Sequence, residues 1–485
     1  MSIEKRLNIL LVNPPRFKGI PVIREERCEI TERSSILPPY SLLQIAGILR
    51  EKGVNVNLID ANGFNLSYQQ VADIMKTLDY DALIFRFTPT TFDYDIELAK
   101  ISKMINPNAK TIGICWTLHN SPKEVLEETS YLDIYIYGEY ESVIPELMEA
   151  LSDGIDLFNI SGIGYRSKDE IIVTKNNSSL YSYDNLPLPA YDLLPSLKPY
   201  YANTKHATPF TIIYTSKGCP YSCIYCTVAN TKWKEKSVDK ILEEIKYLKE
   251  RFNIKAVSFF DETFTLNRKR VIKLCKEFIN EKINLIWYCN TRVNLVDKEL
   301  LKLMYEAGCR GISYGVESGS QEILDNAIKS QTVEQAENAI KWTKEARIKV
   351  YCSFILGLPG ETWETIKETL DFVKRTLPNG AQFNIAVPYP GTKLYSLALE
   401  KGWINPHLNW KELYQHKANM RTETLSTKEL EEARKLAYRT LYFNPKWVLS
   451  NITWILKEPQ DIPLAIKYYT KSIRNYILYG MEDAH

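Results

Sequence analysis

Along the first 150 residues, short apolar runs alternate with stretches in which apolar positions recur at helical spacing. The runs at 8–12, 54–59, 82–85, 111–114 and 134–137 predict five β-strands, and 41–51, 68–78 and 95–105 predict amphipathic crossover helices between them. A crossover of a dozen or more residues is what a parallel strand pair requires. The rhythm therefore predicts an α/β, doubly wound, Rossmann-like sheet, whose ligands sit beyond the carboxyl ends of its strands.

Residues 151–205 lose this rhythm and become rich in Ser, Asn, Tyr and Pro, which reads as a connector with room for a small hairpin. A second alternation starts at Phe210, with strands expected at 211–215, 257–260, 285–289, 311–315, 350–354 and 382–386. Each of the first five precedes a helical pattern. Six repeats are too few for an eight-unit barrel and too regular for an antiparallel fold, so a partial (β/α)6 TIM-like barrel is expected over 206–395. From 396 to 485 the chain turns helical and aromatic, with helices expected at 427–443, 447–456 and 464–478. The expected organisation is thus 1–150, a connector, 206–395 and a C-terminal helical region.

Composition narrows the function without naming it. A length of 485 residues exceeds one ordinary core. The hydrophobic share of 45% is globular, and no window offers the roughly 18 consecutive apolar residues of a spanning helix. The apolar run after the N-terminal charges ends in Asn13-Pro14-Pro15 with no small-residue cleavage site, so it reads as a strand. With 61 basic and 59 acidic side chains the net charge is +2, which supplies no bulk drive toward nucleic acid. Nine cysteines, an odd number scattered along the chain, do not describe a secreted disulfide framework, and a reducing cytoplasm is expected.

The chemistry concentrates directly after the first barrel strand, in Lys217-Gly-Cys-Pro-Tyr-Ser-Cys-Ile-Tyr-Cys. Cys219, Cys223 and Cys226 follow C-x3-C-x2-C spacing in one loop, and thiolates are the preferred ligands of iron–sulfur clusters. Three thiolates on a 4Fe-4S cube leave one iron open to bind a substrate. Structural zinc or three buried thiols are the alternatives, but zinc ordinarily shows a second Cys/His pair downstream and none follows.

At these residues the sequence resembles the radical S-adenosylmethionine (radical SAM) superfamily. The resemblance implies that the open iron chelates S-adenosylmethionine, and that one electron from the reduced cluster cleaves it to a deoxyadenosyl radical. By the same resemblance, Asp261 and Glu262 in FFDETFT, Arg292 in NTRVN, Glu317 and Ser318 in GVESGS, and 357–360 in LGLPGET stand at strand ends where the family contacts that cofactor. Tyr225 is expected near the adenine. Asp261 and Glu262 also suit a plain helix cap, and Glu317 an ion pair.

The first unit resembles the cobalamin-binding domain found ahead of many radical SAM cores, through LLVNPP, PPYSLLQIAG, LIDANG and IYGEYES. That implies a corrinoid near Thr88, Thr90, Thr91 and 114–119. Two departures stand out: no Asp-x-His-x-x-Gly follows the first strand, so no axial histidine is supplied there, and Ile114-Cys115 replaces a Gly-Gly pair that would let the corrinoid approach the backbone. His119 is the one histidine nearby, readable as a ligand or as a hydrogen-bonded structural residue. Residues 22–29 resemble relatives that act on isoprenoid or tetrapyrrole substrates, and otherwise read as a solvated charged loop. Trp447, Leu449, Ile452, Trp454, Ile455 and Leu456, flanked by Lys446 and Lys457, suit either a peripheral membrane contact or packed core helices.

These features predict an enzyme that modifies an unactivated carbon of a hydrophobic, isoprenoid-like substrate by cobalamin-dependent methyl transfer, with a ferredoxin or flavodoxin as electron donor. Radical carbon–carbon bond formation or cyclisation is the alternative within the superfamily. A corrinoid or iron–sulfur sensor without turnover is the alternative from another class.

Overall fold

The computed structural model describes residues 7–25, 29–30, 35–168, 170–176, 181–202 and 207–457. Its first sheet has seven strands: β1 (Asn8–Asn13), β2 (Asn55–Asp60), β3 (Ala82–Arg86), β4 (Lys110–Ile114), β5 (Ile134–Ile136), β6 (Ile163–Ser167) and β7 (Glu170–Val173), in the order β7-β6-β5-β4-β3-β1-β2. β1 to β5 run parallel, while β6 and β7 join as an antiparallel hairpin. The hairpin falls in the 151–205 connector, where a small hairpin is expected, and extends the five-stranded sheet to seven.

Helices α1 (Tyr40–Glu51), α2 (Tyr68–Met75), α3 (Glu97–Ile105), α4 (Pro122–Glu127) and α5 (Tyr140–Asp153) cover both faces. On one face Leu11, Ile84, Ile112 and Ile136 pack with Leu42 and Ile45 of α1 and Ile144 and Leu147 of α5. On the other, Leu10, Leu83 and Phe85 pack with Val71 and Met75 of α2 and Leu98 of α3. Burial on both faces is why these strands read as continuous apolar runs rather than alternating ones.

The second sheet contains β8 (Phe210–Ile213), β9 (Ala256–Phe259), β10 (Ile286–Thr291), β11 (Cys309–Glu317), β12 (Lys349–Leu356) and β13 (Gly380–Ile385), all parallel and in sequence order. Helices α6 (Val238–Phe252), α7 (Arg268–Asn280), α8 (Lys298–Glu306), α9 (Val333–Glu345) and α10 (Trp363–Thr376) connect them, with α11 (Lys393–Glu400) after β13. This is the expected partial barrel. In β10, Trp287, Cys289 and Thr291 are buried, while Ile286, Tyr288 and Asn290 alternate with them and remain partly open.

An open barrel leaves an edge strand with unpaired backbone groups. Helix α12 (Thr427–Tyr442) covers that edge of β13. The Tyr442 hydroxyl accepts from Ala381 N–H at 3.1 Å and donates to its carbonyl at 2.9 Å. Tyr438 accepts from Phe383 N–H at 3.3 Å, and Arg434 Nε donates to Phe383 O at 2.8 Å.

Helix α13 (Pro445–Lys457) begins the apolar C-terminal stretch. Trp447 is buried and donates to Pro378 O at 2.8 Å, whereas Leu449 and Ile452 are exposed. The side chains of Trp454, Ile455 and Leu456, and the helix expected at 464–478, lie outside the described residues. Among the described residues no helix is long and apolar enough to cross a membrane.

Candidate active site

The cysteine loop leaves the carboxyl end of β8 and is closed at its base by a two-stranded ladder of Ser216–Lys217 against Lys234–Glu235. Gly218 turns at φ +90°, and a Cβ there would stand 2.3 Å from the Lys232 carbonyl oxygen, so the turn admits only glycine. Thr231 ties the loop across its width: its hydroxyl accepts from Cys219 N–H at 2.9 Å and its own N–H donates to Cys219 O at 3.1 Å. Cys223 is buried and Cys219 and Cys226 are half-buried. Burial pushes the Cys219 thiol up, with the charges of Cys223 and Glu262 adding to it. Burial likewise pushes Cys226 up to about 12. A thiol held protonated by its surroundings becomes a ligand when a cation stabilises the thiolate.

Two cations stand at the loop. Arg292, immediately after β10, lies 3.7 Å from the centroid of the Tyr221 ring, with Nη1 3.7 Å from Cys223 Sγ. Its other donors reach the carbonyl oxygens of Lys329 and Ser330. Lys329 pairs with Glu317 at 2.6 Å and donates to the Tyr225 hydroxyl at 3.3 Å, joining the end of β11 to the residue before Cys226. Glu317 sits at φ +67° where β11 slips register against β12, a conformation uncommon for any residue other than glycine.

Other expected contact residues are engaged within the protein. Asp261, fully buried, accepts from Thr215 N–H at 2.6 Å, Thr215 Oγ1 at 2.5 Å and Ser216 Oγ at 2.7 Å. It therefore anchors the root of the cysteine loop. Ser318 shares a hydrogen bond with Thr369 at 3.1 Å and accepts from Ser320 N–H at 3.1 Å. Glu262 is close enough to Cys219 to act on its thiol.

The first unit meets this loop with the carboxyl ends of its strands. Trp116, after β4, donates Nε1–H to Thr227 O at 3.3 Å, one residue past Cys226. Glu141 of α5 pairs with Lys217 at 2.9 Å, and Glu139 pairs with Lys234, so the two cations of the closing ladder both answer to the first unit. Thr88 and Thr91 are 1% exposed and hydrogen-bond each other at 2.8 Å. Thr91 also donates to Asp95 at 2.6 Å, which pairs with Arg24 at 2.7 Å. Those hydroxyls hold the strand-end loops together. The side chains of Ile114 and Cys115 enter opposite core faces of the sheet. Both ring nitrogens of His119 are engaged, Nδ1 with Trp116 O at 2.8 Å and Nε2 with Asn120 at 2.7 Å, and burial lowers its pKa.

Among the described residues, no three His, Cys, Asp or Glu side chains converge on one metal ion. Three thiolates of a 4Fe-4S cube each bind a different iron and so spread wider than the ligands of a single ion. Three thiols in one loop, with a guanidinium N–H directed at one sulfur, suit the cube. The other described cysteines, Cys115, Cys275, Cys289, Cys309 and Cys352, are buried core residues.

A partial parallel barrel with such a loop after its first strand defines an iron–sulfur enzyme that works on S-adenosylmethionine: the chain belongs to the radical SAM superfamily, whose signature matches residues 213–373. An uncharacterised methyltransferase of Pyrococcus horikoshii is 31% identical over 451 residues, covering 92% of this chain and 95% of its own. The anaerobic magnesium-protoporphyrin IX monomethyl ester cyclase of Rubrivivax gelatinosus is 30% identical over 373 residues, covering 74% of this chain and 66% of its own. Among solved structures, the radical S-adenosylmethionine methyltransferase TsrM of Kitasatospora setae, with cobalamin and a [4Fe-4S] cluster bound, superposes with a TM-score of 0.65 at 18% identity, covering 82% of this chain and 78% of that one.

Sequence reasoning missed Lys329, Gln331, Lys217, Glu139 and Glu141. Gln331 is buried, donates to Gly315 O at 3.1 Å and Val316 O at 3.0 Å, and leaves its Oε1 without a hydrogen-bond partner at the end of β11. Glu139 and Glu141 lie in the IYGEYES segment and Lys217 heads the cysteine motif, but neither motif shows that they pair, and no motif marks Lys329 or Gln331.

Proposed function

We propose that this enzyme is a cobalamin-dependent radical SAM methylase acting on an unactivated carbon. The observation that carries the reading is the docking of the first sheet's carboxyl ends onto the cysteine loop through Trp116, Glu139 and Glu141. That docking brings a nucleotide-type binding face and a cluster face together, as the fold shared with TsrM supports. The strand ends suit a corrinoid: Ile114 and Cys115 turn their side chains into the core, so the end of β4 offers backbone rather than bulk. With His119 engaged at both nitrogens, the first unit offers no histidine ready to serve as a lower axial ligand.

When bound, the cluster and S-adenosylmethionine supply one-electron cleavage to a carbon radical, and cobalamin supplies a methyl carrier. The chain's own part is positional. Cys219, Cys223 and Cys226 hold the cluster, Arg292 directs an N–H at Cys223 Sγ, and the Lys329–Glu317 pair steadies Tyr225 beside the third cysteine. Asp261, Glu262, Arg292, Glu317, Ser318 and Tyr225 are the residues assigned to S-adenosylmethionine, with Thr88 and Thr91 toward the corrinoid, and an external one-electron donor is required. Cyclisation is the second reading, supported by the similarity to the anaerobic cyclase. Residues 22–29, of which 26–28 lie outside the described residues, suggest by their resemblance a hydrophobic, isoprenoid-like substrate.

Anaerobic reconstitution with iron and sulfide, followed by cobalamin, dithionite and S-adenosylmethionine, tests the proposal. Deoxyadenosine formation together with a corrinoid spectrum on the purified protein is expected. Deoxyadenosine without bound corrinoid would favour cyclisation or another cobalamin-free reaction. An intact cluster with no deoxyadenosine would favour a sensor.

A further inference from the structure

Arg292 stands directly after β10 and is 5% exposed, yet among the described residues no carboxylate pairs with it. A buried guanidinium ordinarily answers an anion, because desolvating its charge alone is costly. The surroundings fix its plane from several directions. One face lies 3.7 Å from the Tyr221 ring centroid. Nε–H donates to Asn294 Oδ1 at 3.3 Å, and Nη2 donates to the carbonyl oxygens of Lys329 and Ser330. The turn that presents those carbonyls holds Ile328 at φ +52° and Ser330 at φ +54°. So held, Nη1 reaches the buried Cys223, 3.7 Å from its Sγ.

We propose that Arg292 raises the reduction potential of the cluster held by Cys219, Cys223 and Cys226, through an N–H···S bond to Cys223 and through its unanswered charge. The proposal rests on the cluster reading above and involves neither cobalamin nor the methyl acceptor.

Reduction adds one electron from the external donor, and no bond or proton moves. A 4Fe-4S cube with three thiolates carries one net negative charge when oxidised and two when reduced, so a fixed cation beside it stabilises the reduced form more. Cluster potentials respond to net charge and to hydrogen bonds on the sulfurs. Burial strengthens both effects, since little water remains to screen them. The influence extends past one sulfur: burial raises the Cys219 thiol, and the Arg292 charge opposes that rise. Lys329 acts in the same sense on Cys226, but its own charge is answered by Glu317 at 2.6 Å. Arg292 has no such partner and is the stronger of the two.

The rival role for Arg292 is as a clamp on the carboxylate of S-adenosylmethionine. A bidentate clamp needs two parallel N–H groups. Of the five on a guanidinium, one is taken by Asn294, one by Cys223 and two by the carbonyls. The one left, on Nη1, can make a single further bond and no fork.

The test is a redox titration followed by electron paramagnetic resonance on the anaerobically reconstituted protein, without S-adenosylmethionine, cobalamin or substrate. It compares the native chain with Arg292→Met, Arg292→Gln and Arg292→Lys. Both neutral variants should load a cluster whose midpoint is more negative by at least tenfold in the reduction equilibrium, about 59 mV for one electron. Arg292→Lys keeps the charge and should shift less. A native midpoint in either neutral variant would overturn the proposal, and weaker S-adenosylmethionine binding in that same variant would make Arg292 a carboxylate ligand instead. Neutral variants that hold no cluster would also overturn it, since Arg292 would then build the site rather than tune it. Because the midpoint is read without cobalamin, failure of corrinoid binding or of methyl transfer counts against the methylase reading alone.

Discussion

Replacing Glu361 by Gln should stabilise the protein, and more so as pH rises. Glu361 follows the LGLPG turn, is fully buried, and accepts from Gly357 N–H at 2.9 Å and from Thr365 Oγ1 at 3.1 Å. Among the described residues no cation pairs with it. Burial raises its carboxyl from 4.5 to about 7. Between those two values the folded protein keeps a proton that the unfolded chain has shed, so folding stability falls as pH rises through this window and is flat on either side. At about 1.36 kcal/mol per pH unit, the penalty is about 1 kcal/mol at pH 5 and about 3 kcal/mol at pH 8. Glutamine keeps an acceptor for Gly357 N–H and carries no charge to desolvate, so Glu361→Gln should recover most of that. Urea midpoints followed by tryptophan fluorescence, for both proteins at pH 5 and pH 8, give the difference directly. A gap between the two proteins that is equal at both pH values, or a native chain that is the more stable at pH 8, would refute the reasoning.

Lys329→Met leaves Glu317 as an unpaired charge where both side chains are only 7% exposed, and should cost roughly 3–5 kcal/mol in the same urea measurement. Lys329→Met/Glu317→Leu should regain much of that loss, since removing both partners removes the uncompensated charge. Trp116→Phe deletes the donor to Thr227 O; a cost of about 1 kcal/mol should appear as faster amide exchange in residues 218–233, with the first sheet unchanged. Cys226→Ala should lower iron per chain and remove the cluster's visible absorbance after reconstitution; retention of full cluster content and turnover would sink the site assignment.

What the chain reveals by pattern and what it conceals differ for physical reasons. In β10, Trp287, Cys289 and Thr291 are buried while Ile286, Tyr288 and Asn290 alternate with them and stay partly open, so the alternation is written directly into the residues. The hairpin β6–β7 shows only as a connector with room for a hairpin, and its place in the first sheet does not show: its neighbour β5 is three residues long, and its membership depends on β5 being there to pair with. Cysteine spacing is local and survives as a motif. Asp261 and Glu262 illustrate the limit, because adjacent carboxylates at a strand end point to opposite sides and composition does not say which turns inward. Asp261 turns toward Thr215 and Ser216, and Glu262 is the one left beside the cysteines.

The contacts that no pattern exposed share a cause: each acts across a gap in sequence that only docking closes. Lys329 reaches Glu317 over one short helix, Gln321–Asn326, and a turn with Ile328 and Ser330 at positive φ. Glu139 and Glu141 meet Lys234 and Lys217 across 95 and 76 residues. These pairs are buried or partly buried, where charges attract strongly but desolvation cancels much of the gain. Their value is therefore orientation more than stability: they set the angle at which the first sheet presents its strand ends to the cysteine loop. A Glu141→Gln variant that folds with native stability yet loads its cluster and loses corrinoid binding would separate those two contributions. Equal loss of stability and of corrinoid would show that the pair merely holds the units together.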